Sequence, residues 1–151
     1  MNHSPANTKE RNTSCQPIGI MKQCPKCGKR LFEKITPTTG TIAGVDYSIA
    51  SDGVITIQPG TTTGEFALIL LTREQMANCG LFDKSLIMTG TPSGGSSSTY
   101  WMQCFNYNGI STANDYGSGV SFTPTNRTGA NCAIRIKSGY TIPSGGLVFK
   151  P

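Results

Sequence analysis

CAIRIK, residues 132–137, sets isoleucine at 134 and 136 and a cation at 135 and 137. Successive side chains of an extended chain point to opposite faces. Ile134 and Ile136 therefore face a core while Arg135 and Lys137 face water, the pattern of a half-buried strand. Working outward, similar short runs recur between turn residues. Residues 98–106 and 120–125 read as strands before it, and residues 147–150 after it. Further back, 84–89 reads as a strand, and 64–72 as a hydrophobic strand buried on both faces. Residues 45–50 and 54–58 read as a hairpin around Ser51-Asp52-Gly53, because Asp-Gly supplies a tight turn. Residues 73–82 are ambiguous and read as a helical turn. Gly 18 and Pro 9 fit turns and strands better than helices. Eight short strands with Gly, Pro and Ser turns predict an all-β fold, an antiparallel β-sandwich. TPSGGSSST (91–99) is flanked by strand patterns and reads as a loop within one domain.

Charge divides the chain. Residues 1–40 carry Lys9, Arg11, Lys22, Lys26, Lys29, Arg30 and Lys34 against Glu10 and Glu33, a balance of +5. Residues 41–151 carry six basic and six acidic residues, so the whole excess lies in the first segment. Pro5, Pro17, Pro25 and Pro37 break any helix there. The expected organisation is an irregular basic arm over 1–40 and a β-sandwich over 41–151. The opening MNHSPANTKERN has no apolar h-region, so a signal peptide is not expected. The longest apolar run, 66–71, falls far short of the roughly 20 residues that span a bilayer.

CPKCG (24–28) is half of a zinc-ribbon pattern. Residues 29–51 hold neither cysteine nor histidine, so the second pair is missing downstream. Upstream, Cys15 and His3 supply the remaining donors. With Cys24 and Cys27 they make a Cys3His set, a structural zinc type. Metal binding would then staple an arm too polar to fold by itself; the alternative is a pair of unused thiols. Cys79, Cys104 and Cys132 lie in apolar or strand-like surroundings and are expected as buried, reduced thiols.

Three uses fit the arm's cations Lys22, Lys26, Lys29 and Arg30: docking onto an acidic protein lattice, solvation, or nucleic-acid contact. Phe32 is the arm's one aromatic, whereas single-strand binders interleave several, so docking is the reading adopted. The aromatics of 100–107 split by alternation. Trp101, Gln103, Phe105 and Tyr107 share one face; Tyr100, Met102, Cys104 and Asn106 share the other, and one face must be core. Trp101, Tyr107 and Tyr116 are the candidates for stacking on a glycan, with Gln103, Asn106, Asn108, Asn114 and Asp115 near in sequence to bond its hydroxyls. Residues 41–151 contain no histidine, so no Ser–His–Asp or Cys–His arrangement can be built there. No enzymatic activity is expected.

TGTPSGGSSSTYWMQ (89–103), DYGSGVSFT (115–123) and IRIKSGYTIPSGGLVFKP (134–151) together resemble a jelly-roll-like sandwich module. Such modules occur in structural proteins of tailed bacteriophages and prophages, especially those of Firmicutes, and some look like carbohydrate-binding modules. CPKCGKRLFEKI is similar to the first half of the small zinc-ribbon proteins of Mu-like phages, without their second Cys-x-x-Cys. The resemblance implies a non-enzymatic virion protein. Within that class, a head decoration protein anchored by its arm, with the sandwich facing outward, is the leading expectation. No heptad or collagen-like stretch precedes the sandwich to make a fibre. A tail or baseplate accessory binding a host surface glycan is the alternative, and a zinc-dependent nucleic-acid-binding regulator comes from another class. The expected partners are the capsid lattice or other virion proteins, with further copies of this chain a lesser prospect and no membrane.

Overall fold

The computed structural model describes residues 36–106, 112–125 and 130–151. They form twelve strands and one helix. In chain order these are β1 (Thr38–Ile42), β2 (Val45–Ile49), β3 (Ile55–Ile57), β4 (Gly60–Thr61), β5 (Phe66–Leu71), α1 (Arg73–Asn78), β6 (Leu86–Met88), β7 (Tyr100–Asn106), β8 (Thr112–Asp115), β9 (Val120–Phe122), β10 (Ala130–Ile136), β11 (Thr141–Ile142) and β12 (Leu147–Phe149). Two four-stranded sheets run in the orders β1-β2-β3-β12 and β5-β10-β7-β8, and β4–β11 and β6–β9 form two-stranded ribbons. Every pairing is antiparallel. No helix among the described residues is long and apolar enough to cross a membrane.

The alternation of CAIRIK decides the main core. Ile134 and Ile136 are fully buried, and their ladder partners Met102 and Tyr100 on β7 and Leu68 and Phe66 on β5 face the same way. Val45, Ile55, Ile57, Leu147 and Phe149 of the first sheet join them in one buried cluster. Each such side chain contributes about 1.5–3 kcal/mol on burial. A second cluster continues along the same strands: Cys104 and Cys132 with Leu71, Met76, Cys79 and Leu81. Cys79, Cys104 and Cys132 are buried, as expected.

All eight expected strands are present, and four were not anticipated: β1, β4, β8 and β11. β1 joins β2 through the two-residue turn Ala43-Gly44, with φ of 49° and 79°. Positive φ at both centres is the hairpin turn that matches strand twist, but Ala-Gly is a weak sequence signal for it. β1 also starts at Thr38, slightly ahead of the boundary expected at residue 40.

One expectation is corrected. The run 64–72 is not buried on both faces: Ile69 is 47 % exposed while Phe66, Leu68, Leu70 and Leu71 are buried. The ladder to β10 pairs Leu71 with Cys132 and Ile69 with Ala133, skipping Leu70. This bulge inserts one residue, so Leu70 and Leu71 are buried in succession and Leu71 returns to the core side. The continuous apolar run comes from that inserted residue and from an outward Ile69.

Candidate functional site

The three sequence patches that carry the resemblance meet at one end of the second sheet. Asp115 closes β8 with its side chain fully buried. Its Oδ1 accepts the N–H groups of Gly117 at 2.9 Å and Gly119 at 2.8 Å. Its Oδ2 accepts the N–H of Thr91 at 3.2 Å, binding the 91–99 loop to the 116–119 turn. Tyr100, at the start of β7, donates its hydroxyl to the Ser93 carbonyl at 2.6 Å, and Lys150 N–H donates to Gly90 O at 2.9 Å. Burial pushes the Asp115 carboxyl up, but the Gly117, Gly119 and Thr91 bonds outweigh it and hold the group below its ordinary value. The group is therefore a carboxylate whose two oxygens are occupied by the chain. It is not available to bond a sugar hydroxyl, contrary to the sequence expectation. The signal that could have revealed this role is the spacing in Asp115-Tyr-Gly-Ser-Gly119, since an Asp side chain readily takes the N–H two residues on.

Trp101 lies on the face of the second sheet turned away from the shared core, as alternation requires. It is nevertheless only 7 % exposed. Its ladder partner is Arg135, and Lys137 Nζ stands 5.9 Å from the centre of its ring. Glu65 lies 3.7 Å from the Arg135 guanidinium and 3.4 Å from Lys137 Nζ. Neither Trp101 Nε1–H nor Arg135 Nε has a hydrogen-bond partner among the described residues. Both atoms are buried, so neither is open to a ligand at the surface. Gln103 and Asn114, on the same face, bond each other at 3.0 Å. The sequence placed Trp101 here but missed Arg135 and Lys137, which read there only as solvated charges.

Tyr116 is 37 % exposed in the turn held by Asp115. Tyr107 lies outside the described residues, as do the expected metal ligands His3, Cys15, Cys24 and Cys27 and the arm cations Lys22, Lys26, Lys29 and Arg30. Among the described residues no group of three His, Cys, Asp or Glu side chains is placed to hold a metal. Hollows among the described residues include the following two. A polar one of about 330 Å³ is lined by Thr39, Thr41, Asp46, Tyr47 and Gln58. An apolar one of about 160 Å³ is lined by Leu71, Leu81, Leu86, Phe122 and Cys132, among others.

No known protein-family model matches the chain, and searches of the curated proteins and of the solved structures likewise return no match.

Proposed function

We propose that this chain is a non-enzymatic structural protein of a bacteriophage particle, a head decoration protein held to the shell by residues 1–40. The two four-stranded sheets are read as the layers of a jelly-roll-like sandwich that faces outward. The observation that carries the reading is the charge division: an arm of net +5 followed by 111 residues whose charges cancel. A cationic arm is drawn to an acidic protein lattice by its summed field, while a neutral body rich in closed loops adds cover without strong attraction of its own. Cys15, Cys24, Cys27 and His3 supply three thiolates and an imidazole, a donor set suited to tetrahedral zinc. Zinc bound there would give the arm a fixed shape for docking.

A tail or baseplate role in glycan binding is the second reading. Tyr116 favours it, being an aromatic held partly exposed by a rigid turn. Trp101 counts for less, because so little of its ring is accessible. Quantitative mass spectrometry of purified virions against the major capsid protein separates the two. Hundreds of copies per particle are expected for decoration. A few dozen or fewer would move the chain to the tail and make a glycan array the next test. Absence from virions would overturn both and return the arm's cysteines and cations to a nucleic-acid reading.

A further inference from the structure

We propose that Cys104 and Cys132 are a covalent modification site, forming a disulfide across β7 and β10 when the protein meets a small-molecule disulfide. The proposal is independent of the particle reading above. It rests first on register. Cys132 stands directly opposite Cys104 in the ladder. The parity of that ladder follows from its end, where Lys137 N–H donates to Thr99 O at 2.8 Å. Bonded and non-bonded pairs alternate in an antiparallel ladder. Stepping back without interruption, Arg135–Trp101 and Ala133–Gln103 are bonded sites, whereas Ile134–Met102 and Cys132–Cys104 are non-bonded sites. At a non-bonded site the Cα atoms approach to about 4.5 Å and the side chains are closest. A disulfide accepts Cα separations of about 4.4–6.8 Å. The two cysteines thus occupy the kind of pair a cross-strand bridge can join with little backbone movement.

Burial and access supply the second part. Both thiols point to the inner face and are 4 % and 5 % exposed. The two thiols act on each other: the neighbouring Cys132 thiol draws that of Cys104 below its ordinary value, while Cys104 and burial leave that of Cys132 well above it. Cys132, but not Cys104, lines the apolar hollow with Leu71, Leu81, Leu86 and Phe122, so the hollow approaches the pair from the Cys132 side. Cys79 lies in the same buried cluster but follows α1 and has no ladder position opposite either thiol. It is the natural competitor.

The chemistry is two thiol–disulfide exchanges. The Cys104 thiolate attacks one sulfur of the small disulfide, its S–S bond breaks, and one thiolate leaves with the electron pair. Cys132 then gives up its proton to that leaving thiolate and attacks the Cys104 sulfur, expelling the second thiolate, which takes from solvent the proton that Cys104 gave up on ionising. Two protein thiols are oxidised by two electrons, and one small disulfide is reduced to two thiols. The bridge closes residues 104–132 into a loop containing β8, β9 and the Asp115 junction.

The test uses the full-length, zinc-supplied chain. Reduced protein is incubated with oxidised glutathione, and a second sample is refolded from urea in a glutathione redox buffer so that access is not limiting. Remaining thiols are alkylated and peptides are mapped without reduction. The expected result in both samples is a dominant Cys104–Cys132 linked peptide. It should come with a rise in Tm of roughly 10 °C that dithiothreitol reverses. Cys79→Ser should keep the link and the rise, and Cys132→Ala should lose both. A dominant link from Cys79 to either thiol, or both thiols alkylated after refolding, would overturn the proposal. So would a linked protein whose Tm is unchanged or lower.

Discussion

Asp115 contributes one carboxylate to a junction where three backbone N–H groups converge. Hydrogen bonds to a charged group are each worth about 1.5–3 kcal/mol, and a buried donor left unanswered costs about as much. Asp115→Asn turns one acceptor into a donor facing another donor. It should destabilise the protein by about 2–3 kcal/mol in urea denaturation. The pH dependence has a defined sign. The folded-state carboxyl lies below its ordinary value of 3.8, so its stabilisation is complete above that value and is lost as pH falls through the folded-state value. Tm measured against pH should therefore drop below about pH 4 in the wild type, and the part of that drop due to this group should vanish in the Asn variant. Gly90 is the other sensitive position. Its φ is 110°, and a Cβ there would strike the Lys150 carbonyl. Gly90→Ala should cost at least about 2 kcal/mol through strain and displacement of the final strand. If Gly90→Ala melts with the wild type, the junction is looser than its geometry implies.

Among the elements, α1 is built of good helix formers, Arg73 to Ala77, but has little length. Six residues are too few to hold a helix in isolation, so it depends on its cap and its packing. Thr72 Oγ1 accepts Gln75 N–H at 3.3 Å, and Gln75 Oε1 accepts Thr72 N–H at 2.9 Å. Thr-x-x-Gln is the sequence form of this reciprocal box, although residues 73–82 read only as a helical turn, and Thr72→Ala should remove about 1 kcal/mol. Met76, fully buried in the second cluster, should matter more: Met76→Ala leaves a cavity and should cost about 2–5 kcal/mol. Equal losses for the two variants would mean that the cap, not the packing, decides the helix. β5 carries the other lesson at this scale. Its alternation was hidden because the skipped Leu70 puts two leucines in the core in succession. A bulge is a property of two strands together and leaves no fixed mark on one.

For the whole molecule the charge division makes a measurable claim. Exposed ionic contacts are screened within about 10 Å at 0.1 M salt. On the decoration reading, binding to particles stripped of this protein should weaken steadily with ionic strength. Neutralising Lys22, Lys26, Lys29 and Arg30 together should lower affinity by about tenfold or more, ~1.4 kcal/mol, at low salt. Cosedimentation with such particles measures both. Salt-independent binding would place the attachment on the β unit.

The sequence by itself determined the strand texture, the Ser51-Asp52-Gly53 hairpin, the core face of β10, the division of β7 into two alternating faces, and the separation of a basic segment from a neutral one. These follow from properties that neighbouring residues share: a two-residue period, turn chemistry and charge. Only the tertiary structure decided the remainder. Trp101 is buried on the face away from the core, Asp115 is spent on the backbone, and Cys104 stands opposite Cys132 at a non-bonded site. Each depends on which strand lies beside which and in what register. That choice is made by the packing of the whole core, through contacts between residues far apart in the chain.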